Sequence, residues 1–355
     1  MLPVGSTPKP SGVRALVGQN LRVCPLREPP GEDWMRKAAL LPWFCRNLPR
    51  LWHEIRLADA VHTPVPGDIG AIGIIVALAQ KKLLFVRHCG TWGEPVTVAD
   101  RFLLRLLERM KGARHVVMAT GGGDAPPSPR NPDIEWIFST TLSEKELTTL
   151  PAPRPWRSDQ PLRLATAGRL SPSKNTATVL RGLAVVKEQF PAVRLDVLGD
   201  GVCLGELRHL ASELNIGEAV TFHGNVSHEK VLDVLSKSHL FIFPTRVKEG
   251  FPKVVLEALA CGLPVIATAV SVIPHLIGGG SGILLNRADS TEVAEAVLQL
   301  VNDEKRFNNM STCAWQTSRT YTLEGWRDKI GHMLRARWGS LRQDSIEPAP
   351  LEFTT

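Results

Sequence analysis

The sequence predicts an α/β protein in which parallel sheets carry helices on both faces, and three observations support this. In the second half of the chain, short apolar runs alternate with runs of helical periodicity, which is typical of consecutive βαβ units. Glycine-containing turns directly follow two of the predicted strands, as at the carboxyl ends of parallel strands. A proline-rich polar stretch at 151–161 divides the 355 residues into two halves, each long enough for a core.

The second half gives the more regular pattern. Strands are predicted over 162–167, 193–198, 219–222, 240–243, 264–267 and 281–285, and helices over 176–190, 205–214, 229–236, 252–261 and 290–302. An amphipathic helix is predicted over 322–338, with Thr322 as its N-cap. We therefore predict a Rossmann-like domain over 162–318, a terminal helix within 319–338 and a flexible tail over 339–355.

The first half, residues 1–150, also predicts an α/β domain, but a shorter and less regular one. Short buried strands are predicted over 60–62, 83–87 and 115–118, and helices near 50–57, 69–79 and 99–111. Residues 1–30 lack the strand, glycine turn and helix with which such domains usually open.

Composition limits the classes of partner and compartment. The net charge of +7 and pI near 9.2 favour an anionic partner, which is a nucleotide diphosphate, an acidic membrane surface or a nucleic acid. One tyrosine and no interleaving of aromatic with basic residues argue against nucleic acid. The six cysteines are scattered without metal-ligand spacing, which predicts no structural zinc and a reducing compartment.

Two further features of the sequence bear on the compartment in which the protein works. The first twenty residues lack the apolar core of a secretory signal. The longest apolar run, near 69–79, is shorter than the roughly 20 residues of a membrane span. We expect a cytoplasmic protein, with peripheral contact to the inner face of a membrane as an additional hypothesis.

Two turns after strands carry candidate binding residues. Gly168 to Lys174 follows a strand and precedes a helix, so Arg169 and Lys174 are placed to reach one diphosphate. The turn Gly199-Asp200-Gly201 lets backbone approach a ligand closely, although alone it is equally consistent with a simple tight turn.

The third motif surrounds a predicted helix start. Glu249 precedes the helix, Pro252 begins it, and Glu257 lies more than one turn inside. The amides of Gly250 and Phe251 would point outward there, which suits an anionic or hydroxyl-rich ligand. Carboxylates accept hydrogen bonds from both hydroxyls of a vicinal diol.

Together these residues resemble the retaining family-4 glycosyltransferases, which have the GT-B fold of two facing Rossmann-like domains. The match is good over roughly 160–335, and the segment 248–268 carries the family's two glutamates with seven residues between them. The resemblance implies that the helix at 322–338 crosses back onto the first domain. It also implies the following donor-binding set: Gly168, Arg169, Lys174, Gly199, Asp200, Gly201, Asn225, Val226, Glu249, Gly250, Phe251, Pro252, Lys253 and Glu257.

Within this set the resemblance assigns roles. It implies that Glu249 contacts the donor sugar, Glu257 the ribose, and Arg169 with Lys174 the diphosphate. In the first domain, His88 resembles a strand-terminal histidine that points into the cleft near the sugar. The catalytic candidates are therefore Glu249, His88, Arg169 and Lys174.

The acceptor side has weaker candidates. His62 resembles the end of the family's Asp-x-Val-His strand, and Gly67 with Asp68 opens the next helix, where it could meet the acceptor or the phosphates. The implied partners are a nucleotide-sugar donor, with the base unresolved among uracil, guanine and adenine, and a saccharide or lipid-linked saccharide acceptor. No cofactor or metal is implied, because protein cations would stabilise the leaving diphosphate.

The implied reaction is transfer of a sugar from a nucleoside diphosphate to a hydroxyl with retention at the anomeric carbon, in polysaccharide or glycolipid synthesis. Two alternatives stay open. One is an epimerase or hydrolase of nucleotide sugars on the same fold. The other is a protein that binds nucleotide sugars without catalysis.

Overall fold

The computed structural model describes residues 33–339 together with Cys24, Leu26 and Pro29. The atypical opening predicted within residues 1–30 and the tail predicted after residue 339 fall almost entirely outside these described residues. Between them the chain forms two parallel sheets, one of four strands and one of six. The predicted α/β class is thus confirmed.

Strands and helices alternate along most of the described chain. The strands are β1 (Ala60–Val65), β2 (Leu83–His88), β3 (His115–Thr120), β4 (Glu135–Ile137), β5 (Arg163–Ala167), β6 (Arg194–Leu198), β7 (Val220–Gly224), β8 (Leu240–Phe243), β9 (Val265–Thr268) and β10 (Gly282–Leu285). The helices are α1 (Asp33–Leu57), α2 (Asp68–Ala79), α3 (Val98–Arg109), α4 (Glu144–Thr149), α5 (Thr176–Gln189), α6 (Leu204–Glu213), α7 (His228–Ser236), α8 (Lys253–Ala260), α9 (Ile273–Ile277), α10 (Ser290–Val301), α11 (Glu304–Ser318) and α12 (Leu323–Trp338).

The first sheet has the strand order β1-β2-β3-β4, with all neighbours parallel. One face is covered by α1, α2 and α3, whose apolar side chains form a core with β2 and β3. The opposite face is covered by α12, where Met333 packs on Phe85 and Met118. The terminal helix therefore lies on the first sheet although it follows the second in sequence.

The second sheet has the order β10-β9-β8-β5-β6-β7, also with parallel neighbours. The chain begins this sheet at β5, in the middle, and fills one side and then the other. The order therefore reverses between β5 and β8, and parallel sheets of this kind bind ligands in the crevice beyond the strand ends at such a point. Helices α5, α6 and α10 cover one face, and α7, α8 and α9 the other.

The helix predicted at the end of the chain agrees with the structure at its start. Thr322 is the N-cap of α12, and its side chain accepts a hydrogen bond from the amide of Gly325. Several elements were not predicted: β4, α4, α9, α11 and residues 33–49 of α1.

The segment connecting the two sheets is packed rather than free. Leu142 and Leu147 are buried in the core of the second sheet, so the chain reaches that body before residue 150. Trp156, in the stretch predicted as a polar linker, is fully buried, and its Nε1 donates to the carbonyl of Val301 at 3.0 Å. The two crossing segments also join, since the amide of Leu323 donates to the carbonyl of Leu142. The exact domain limits stay a prediction.

Candidate functional site

The crevice between β5 and β8 holds an ion pair from two loops. Lys174 ends a 3₁₀ turn, Pro172–Lys174, that follows β5, while Glu249 lies in the loop after β8. The Lys174 ammonium bonds the Glu249 carboxylate, and both side chains are mostly buried. Burial, followed by the positive charge of Arg169, lowers the pKa of Lys174. The charged side chains of Lys174 and Arg169 therefore lie close enough to interact. An anionic ligand between them would stabilise the charged form of Lys174.

A cavity of about 490 Å³, here called the strand-end cavity, opens beside this ion pair. Seven of the predicted donor-binding residues line it: Gly168, Arg169, Gly199, Asp200, Asn225, Val226 and Glu257. The remaining wall is apolar, from Ala167, Leu198, Val231 and Val254. A cleft of this volume in which apolar side chains surround convergent polar groups is a common form of small-molecule site.

Backbone contacts between strand ends form the floor of this cavity. Gly199 has a φ of +125°, and a Cβ built on it would lie 2.0 Å from the carbonyl oxygen of Gly168. A Cβ on Gly201, at φ +157°, would lie 2.4 Å from the carbonyl oxygen of Leu170. Only glycine permits this approach, so the turn after β6 has a structural need for both residues.

The carboxylate of Glu257 is held from two directions. It is 7% exposed, accepts a hydrogen bond of 2.7 Å from Thr141 Oγ1, and lies 3.4 Å from His228 Nδ1. Thr141 belongs to the segment that crosses between the sheets, and His228 begins α7. Neither residue was predicted, since a contact between positions 141 and 257 leaves no local signal in sequence.

The start of α8 faces the same crevice. α8 begins at Lys253 with Pro252 as N-cap, one residue later than predicted, and within the described chain no side chain caps its first amides. The amide of Val255 donates to the carbonyl of Pro252, whereas those of Lys253 and Val254 are available to an anion. Phe251 and Pro252 are buried, Lys253 is exposed and Gly250 is half-buried.

The loop before α8 touches the first sheet at Gly250. A Cβ built there would lie 2.8 Å from the carbonyl oxygen of Cys89 and 3.1 Å from that of Gly90. The turn after β2 therefore packs directly on the loop that carries Glu249. A glycine at position 250 makes this close approach possible.

His88 ends β2 at this contact. It is 8% exposed, its Nδ1 lies 3.2 Å from the carbonyl oxygen of Gly90, and its ring meets the edge of Trp92 at 5.1 Å. Burial lowers its pKa against the weaker opposing effects of Gly90 and Asp100. The ring is therefore neutral at pH 7, with the proton on Nδ1 donated to Gly90 and Nε2 left as an acceptor.

A second cavity, about 470 Å³ in volume and here called the interdomain cavity, lies next to His88. Its wall comes from both halves of the chain: Pro66, His88, Gly90, Thr91, Gly93, Glu94, Pro95, Val96, Asp100, Leu103 and Leu104 from the first, and Arg246 and Lys248 from the second. The Lys248 ammonium bonds the Glu94 carboxylate across the two halves. Arg246 and Glu94 were not predicted, although two cations just before Glu249 were a visible signal.

The remaining acceptor-side candidates are not brought to these cavities. The prediction that β1 ends at His62 is wrong: the strand continues to Val65, because residues 60–65 pair with 83–88 throughout. His62 therefore lies within the strand, exposed, and stacks on Phe85 at 4.7 Å. That position is on the side of the sheet where α12 packs.

Gly67 and Asp68 open α2 as predicted. Gly67 is its N-cap at φ +154°, and Asp68 lies 3.7 Å from the Arg36 guanidinium. Of this turn, Pro66 lines the interdomain cavity, whereas Gly67 and Asp68 line neither that cavity nor the strand-end cavity.

Two facing parallel sheets, a reversal in strand order and a crossing terminal helix define the GT-B class of fold, and comparison with solved structures agrees. HepE of Anabaena in complex with UDP superposes with a TM-score of 0.66 over 86% of this chain and 84% of that one, at 18% identity. At this identity the likeness shows the fold alone.

The family described as "Glycosyl transferases group 1" matches residues 152–316. This match covers slightly less than half of the chain, and the second half is therefore similar to glycosyltransferase group 1 domains. A D-inositol 3-phosphate glycosyltransferase of Stackebrandtia nassauensis is 30% identical over 200 residues, which is 54% of this chain and 44% of the relative.

A second relative is a GDP-mannose-dependent monoacylated alpha-(1-6)-phosphatidylinositol monomannoside mannosyltransferase of Corynebacterium glutamicum. It is 28% identical over 149 residues, which is 40% of this chain and 39% of the relative. The matched segments thus span less than half the length of both relatives.

Proposed function

We propose that this protein is a retaining glycosyltransferase that moves a sugar from a nucleoside diphosphate to a hydroxyl acceptor. The observation that carries the proposal is the convergence of Glu249, Lys174 and Arg169 at the strand-order reversal, beside the strand-end cavity. In this proposal the nucleoside occupies that cavity and the ribose diol bonds to Glu257. The diphosphate lies between Arg169, Lys174 and the first amides of α8.

The leaving diphosphate is the centre of the proposed chemistry. The bond from the anomeric carbon to the phosphate oxygen breaks, and negative charge develops on the diphosphate. Arg169, Lys174 and the α8 amides are already oriented toward it, so no reorganisation is needed as the charge forms. We propose that no divalent metal takes part in this stabilisation.

Retention follows, in this proposal, from a front-face route. The acceptor hydroxyl attacks the anomeric carbon on the side from which the phosphate leaves, and its proton passes to a leaving phosphate oxygen. Glu249, next to Lys174, accepts a hydrogen bond from a donor-sugar hydroxyl. His88 contacts the sugar through Nε2, since Nδ1 is engaged with Gly90.

The names of the relatives suggest the kind of acceptor. One is named for inositol phosphate and one for a phosphatidylinositol mannoside. We propose that this chain also glycosylates a saccharide or lipid-linked saccharide in glycolipid or polysaccharide synthesis. The solved relative with UDP makes a uridine donor the first to test.

We further propose contact with an anionic membrane surface through the helices that cover the first sheet. Within the described chain, no helix is long and apolar enough to span a membrane. Several large apolar side chains on this layer are nevertheless exposed: Met35, Leu41, Trp52 and Leu57 on α1, Ile75 on α2, and Val98 and Phe102 on α3. Exposed arginines accompany them at Arg46 and Arg56 on α1 and at Arg101 and Arg105 on α3.

That combination of apolar and basic side chains is typical of helices that lie on lipid headgroups. The test is co-sedimentation with vesicles at low salt. We expect binding to vesicles containing phosphatidylglycerol, weaker binding for Trp52→Ser with Phe102→Ser, and little binding to neutral phosphatidylcholine. Equal recovery with both vesicle types would reject this part of the proposal.

The enzymatic proposal is tested first by ligand binding. A thermal-shift panel of nucleoside diphosphates and their sugars should select one base, because a ligand at 100 times its dissociation constant stabilises a protein by about 2.7 kcal/mol. Donor turnover is then followed with and without saccharide acceptors. Turnover that needs no acceptor and inverts a sugar centre would indicate the epimerase, and binding without turnover the non-catalytic protein.

Substitutions then test the site itself. We expect Glu249→Ala and Lys174→Ala each to lower turnover by about tenfold or more, since Lys174 would stabilise the leaving diphosphate and Glu249 would position the donor sugar and the Lys174 ammonium. Lys187→Ala is the control, because Lys187 is a half-buried lysine of α5 that lines neither cavity and whose ammonium donates to the Asn215 carbonyl. Transfer near the wild-type rate by either site variant would overturn the assignment.

A further inference from the structure

The interdomain cavity lies immediately beside the proposed reaction centre. His88 lines it, and the turn after His88 packs on Gly250 in the loop that carries Glu249. A hydroxyl compound in this cavity would therefore lie next to the donor sugar. The following inference rests on the proposed function and concerns the chemical class of that acceptor.

The cavity wall carries two carboxylates and two cations, Glu94, Asp100, Arg246 and Lys248, which are not all paired with one another. Lys248 is paired with Glu94. The Asp100 carboxylate accepts hydrogen bonds from the amide and hydroxyl of Thr97 at 2.9 and 2.8 Å, as part of the cap of α3. Among the described residues, no acceptor group pairs with the Arg246 guanidinium. The cavity therefore presents an exposed guanidinium whose donors are free to bind an anion, while the Asp100 carboxylate in the same wall is engaged by the cap of α3.

A second group in the wall also has an unmet hydrogen-bonding capacity. The hydroxyl oxygen of Thr91 is buried and has no hydrogen-bond partner within the described part of the chain. Thr91 and Arg246 line the same cavity from opposite halves of the protein. Buried polar groups in native proteins are nearly always satisfied, so this hydroxyl in the cavity wall needs a partner that the described chain does not supply.

The backbone keeps Arg246 apart from the diphosphate cations. The amide of Arg246 donates to the carbonyl of Ser173 at 2.9 Å, which ties this loop to the turn that ends in Lys174. Lys174 contacts Glu249 and lies over the ring of Phe243, whereas Arg246 lines the interdomain cavity. The two sites thus have separate cations on two loops that a backbone hydrogen bond joins.

From this geometry we infer that the acceptor is an anionic hydroxyl compound whose phosphate or carboxylate binds Arg246. A guanidinium presents donors in a fork that matches either group. The apolar side chains Pro66, Pro95, Val96, Leu103 and Leu104 cover the rest of the acceptor. Its hydroxyl then points toward His88 and the donor sugar.

The test uses inorganic phosphate and acetate as probes on the full chain, with ¹³C-labelled histidine. The His88 resonance is assigned by its loss in His88→Gln and followed at constant ionic strength as each anion replaces chloride. We expect a saturable shift with phosphate, acetate or both. Arg246→Met should weaken that affinity at least tenfold, while Arg287→Met should leave it unchanged.

Arg287 is a suitable control because it is an exposed arginine, 78% accessible, paired with Asp289 on the second domain. Lys174→Ala distinguishes the two anion sites: the shift should persist in it if the anion binds Arg246. A shift that is absent with both anions, or that persists in Arg246→Met and disappears in Lys174→Ala, overturns the inference.

The same samples separate this inference from the function on which it rests. Nucleotide binding is measured by thermal shift in each variant. Intact nucleotide binding without an Arg246-dependent anion effect rejects the acceptor class alone. Failure to bind any nucleoside diphosphate or nucleotide sugar rejects the proposed function, whatever the anions do.

Discussion

The two sheets of this protein build their strand ends in different ways. In the six-stranded sheet the chain starts in the centre, so β5 and β8 lie side by side with their following loops diverging from a shared crevice. In the four-stranded sheet the strands follow in chain order from β1 to β4, and the order never reverses. The second sheet therefore forms a crevice by topology alone, while the first needs a partner surface to form one.

This difference separates the candidate site into two halves. The strand-end cavity is made entirely by residues from the second half of the chain, on consecutive strand ends. The interdomain cavity exists only because residues 88–104 meet Arg246 and Lys248. The strand-end cavity depends on local backbone geometry, whereas the interdomain cavity depends on how the two domains pack.

Gly199→Val should have the largest effect, because it breaks the backbone geometry on which the strand-end cavity depends. The new side chain would need φ near +125° and would meet the carbonyl of Gly168 at 2.0 Å. We expect a loss of about 3 kcal/mol in the free energy of unfolding, measured with urea, together with loss of nucleotide binding.

Gly205→Ala is the matched control for this change. Gly205 lies in α6, has no atom within 4 Å of its added Cβ and does not have positive φ. An alanine there should leave nucleotide binding intact and raise stability by about 0.4–1 kcal/mol. Equal stability of the two variants would show that the close approach after β6 is not required.

Glu257→Gln tests the donor half without altering its shape. A neutral amide can no longer accept from both hydroxyls of a ribose, so we expect nucleotide affinity to fall by about 1.5–3 kcal/mol, measured by isothermal titration. Thr141→Val removes the 2.7 Å hydrogen bond to Glu257, and we expect it to weaken the free energy of nucleotide binding by about 1 kcal/mol.

An exposed pair provides the control for Glu257. His209 and Glu213 lie 3.4 Å apart on α6 with both side chains exposed, so Glu213→Gln should not alter nucleotide affinity. If Thr141→Val also has no effect, the crossing segment does not orient Glu257, and the donor half is independent of the connection between the sheets.

The sequence predicted the second sheet better than the first, for physical reasons. Strand β8 agrees with its prediction at both ends, since a fully buried apolar run is a clear signal. Helix α11 was not predicted because its buried face includes Ser311, Ala314 and Ser318, whose small side chains hide the helical period. In α1, Pro42 and Pro49 lie inside the helix, and proline in sequence normally indicates its end.

The site residues also differ in how well the sequence predicted them. Strand-end glycines and a helix start leave local patterns, so the residues of the strand-end cavity were predictable from short segments. Trp156, Thr141 and Glu94 make their contacts with residues more than 100 positions away. Such contacts depend on domain packing, which no local pattern contains.

The second domain should also lose stability in acid through His239. Its Nδ1 accepts a hydrogen bond from the amide of Arg163, and burial, followed by Arg163 and Arg154, lowers its pKa to about 4. The unfolded chain binds the proton near pH 6.5, so the stabilisation is full above that pH and is lost as pH falls toward 4. We expect a loss on the order of 2 kcal/mol from this residue.

Urea unfolding at pH 7 and pH 4.5 measures this loss, with His239→Asn for comparison because asparagine retains an acceptor. The variant should lose less stability than the wild type over that interval. Identical losses in both proteins would mean that a different group controls acid stability.

The smallest effect is expected in the first domain, where two histidines on neighbouring strands occupy contrasting places. His88 is buried at the interdomain cavity, and burial lowers its pKa, which favours the neutral ring. His62 is exposed and stacked on Phe85, beside the face that α12 covers. His88→Gln should lower kcat/KM by about tenfold by removing the Nε2 contact, whereas His62→Gln should change it less than twofold.

Donor-turnover rates at nucleotide-sugar concentrations well below KM, from pH 6.5 to 8, measure this difference, and urea unfolding of both variants excludes a folding defect. If the histidine acts as a neutral acceptor, the ratio between wild type and His88→Gln should change little over this range, because a lowered pKa favours the neutral ring. A ratio that changes steeply with pH would assign a proton-transfer role to His88. Equal rates in the two variants would instead mean that the first domain contributes packing alone to the reaction centre.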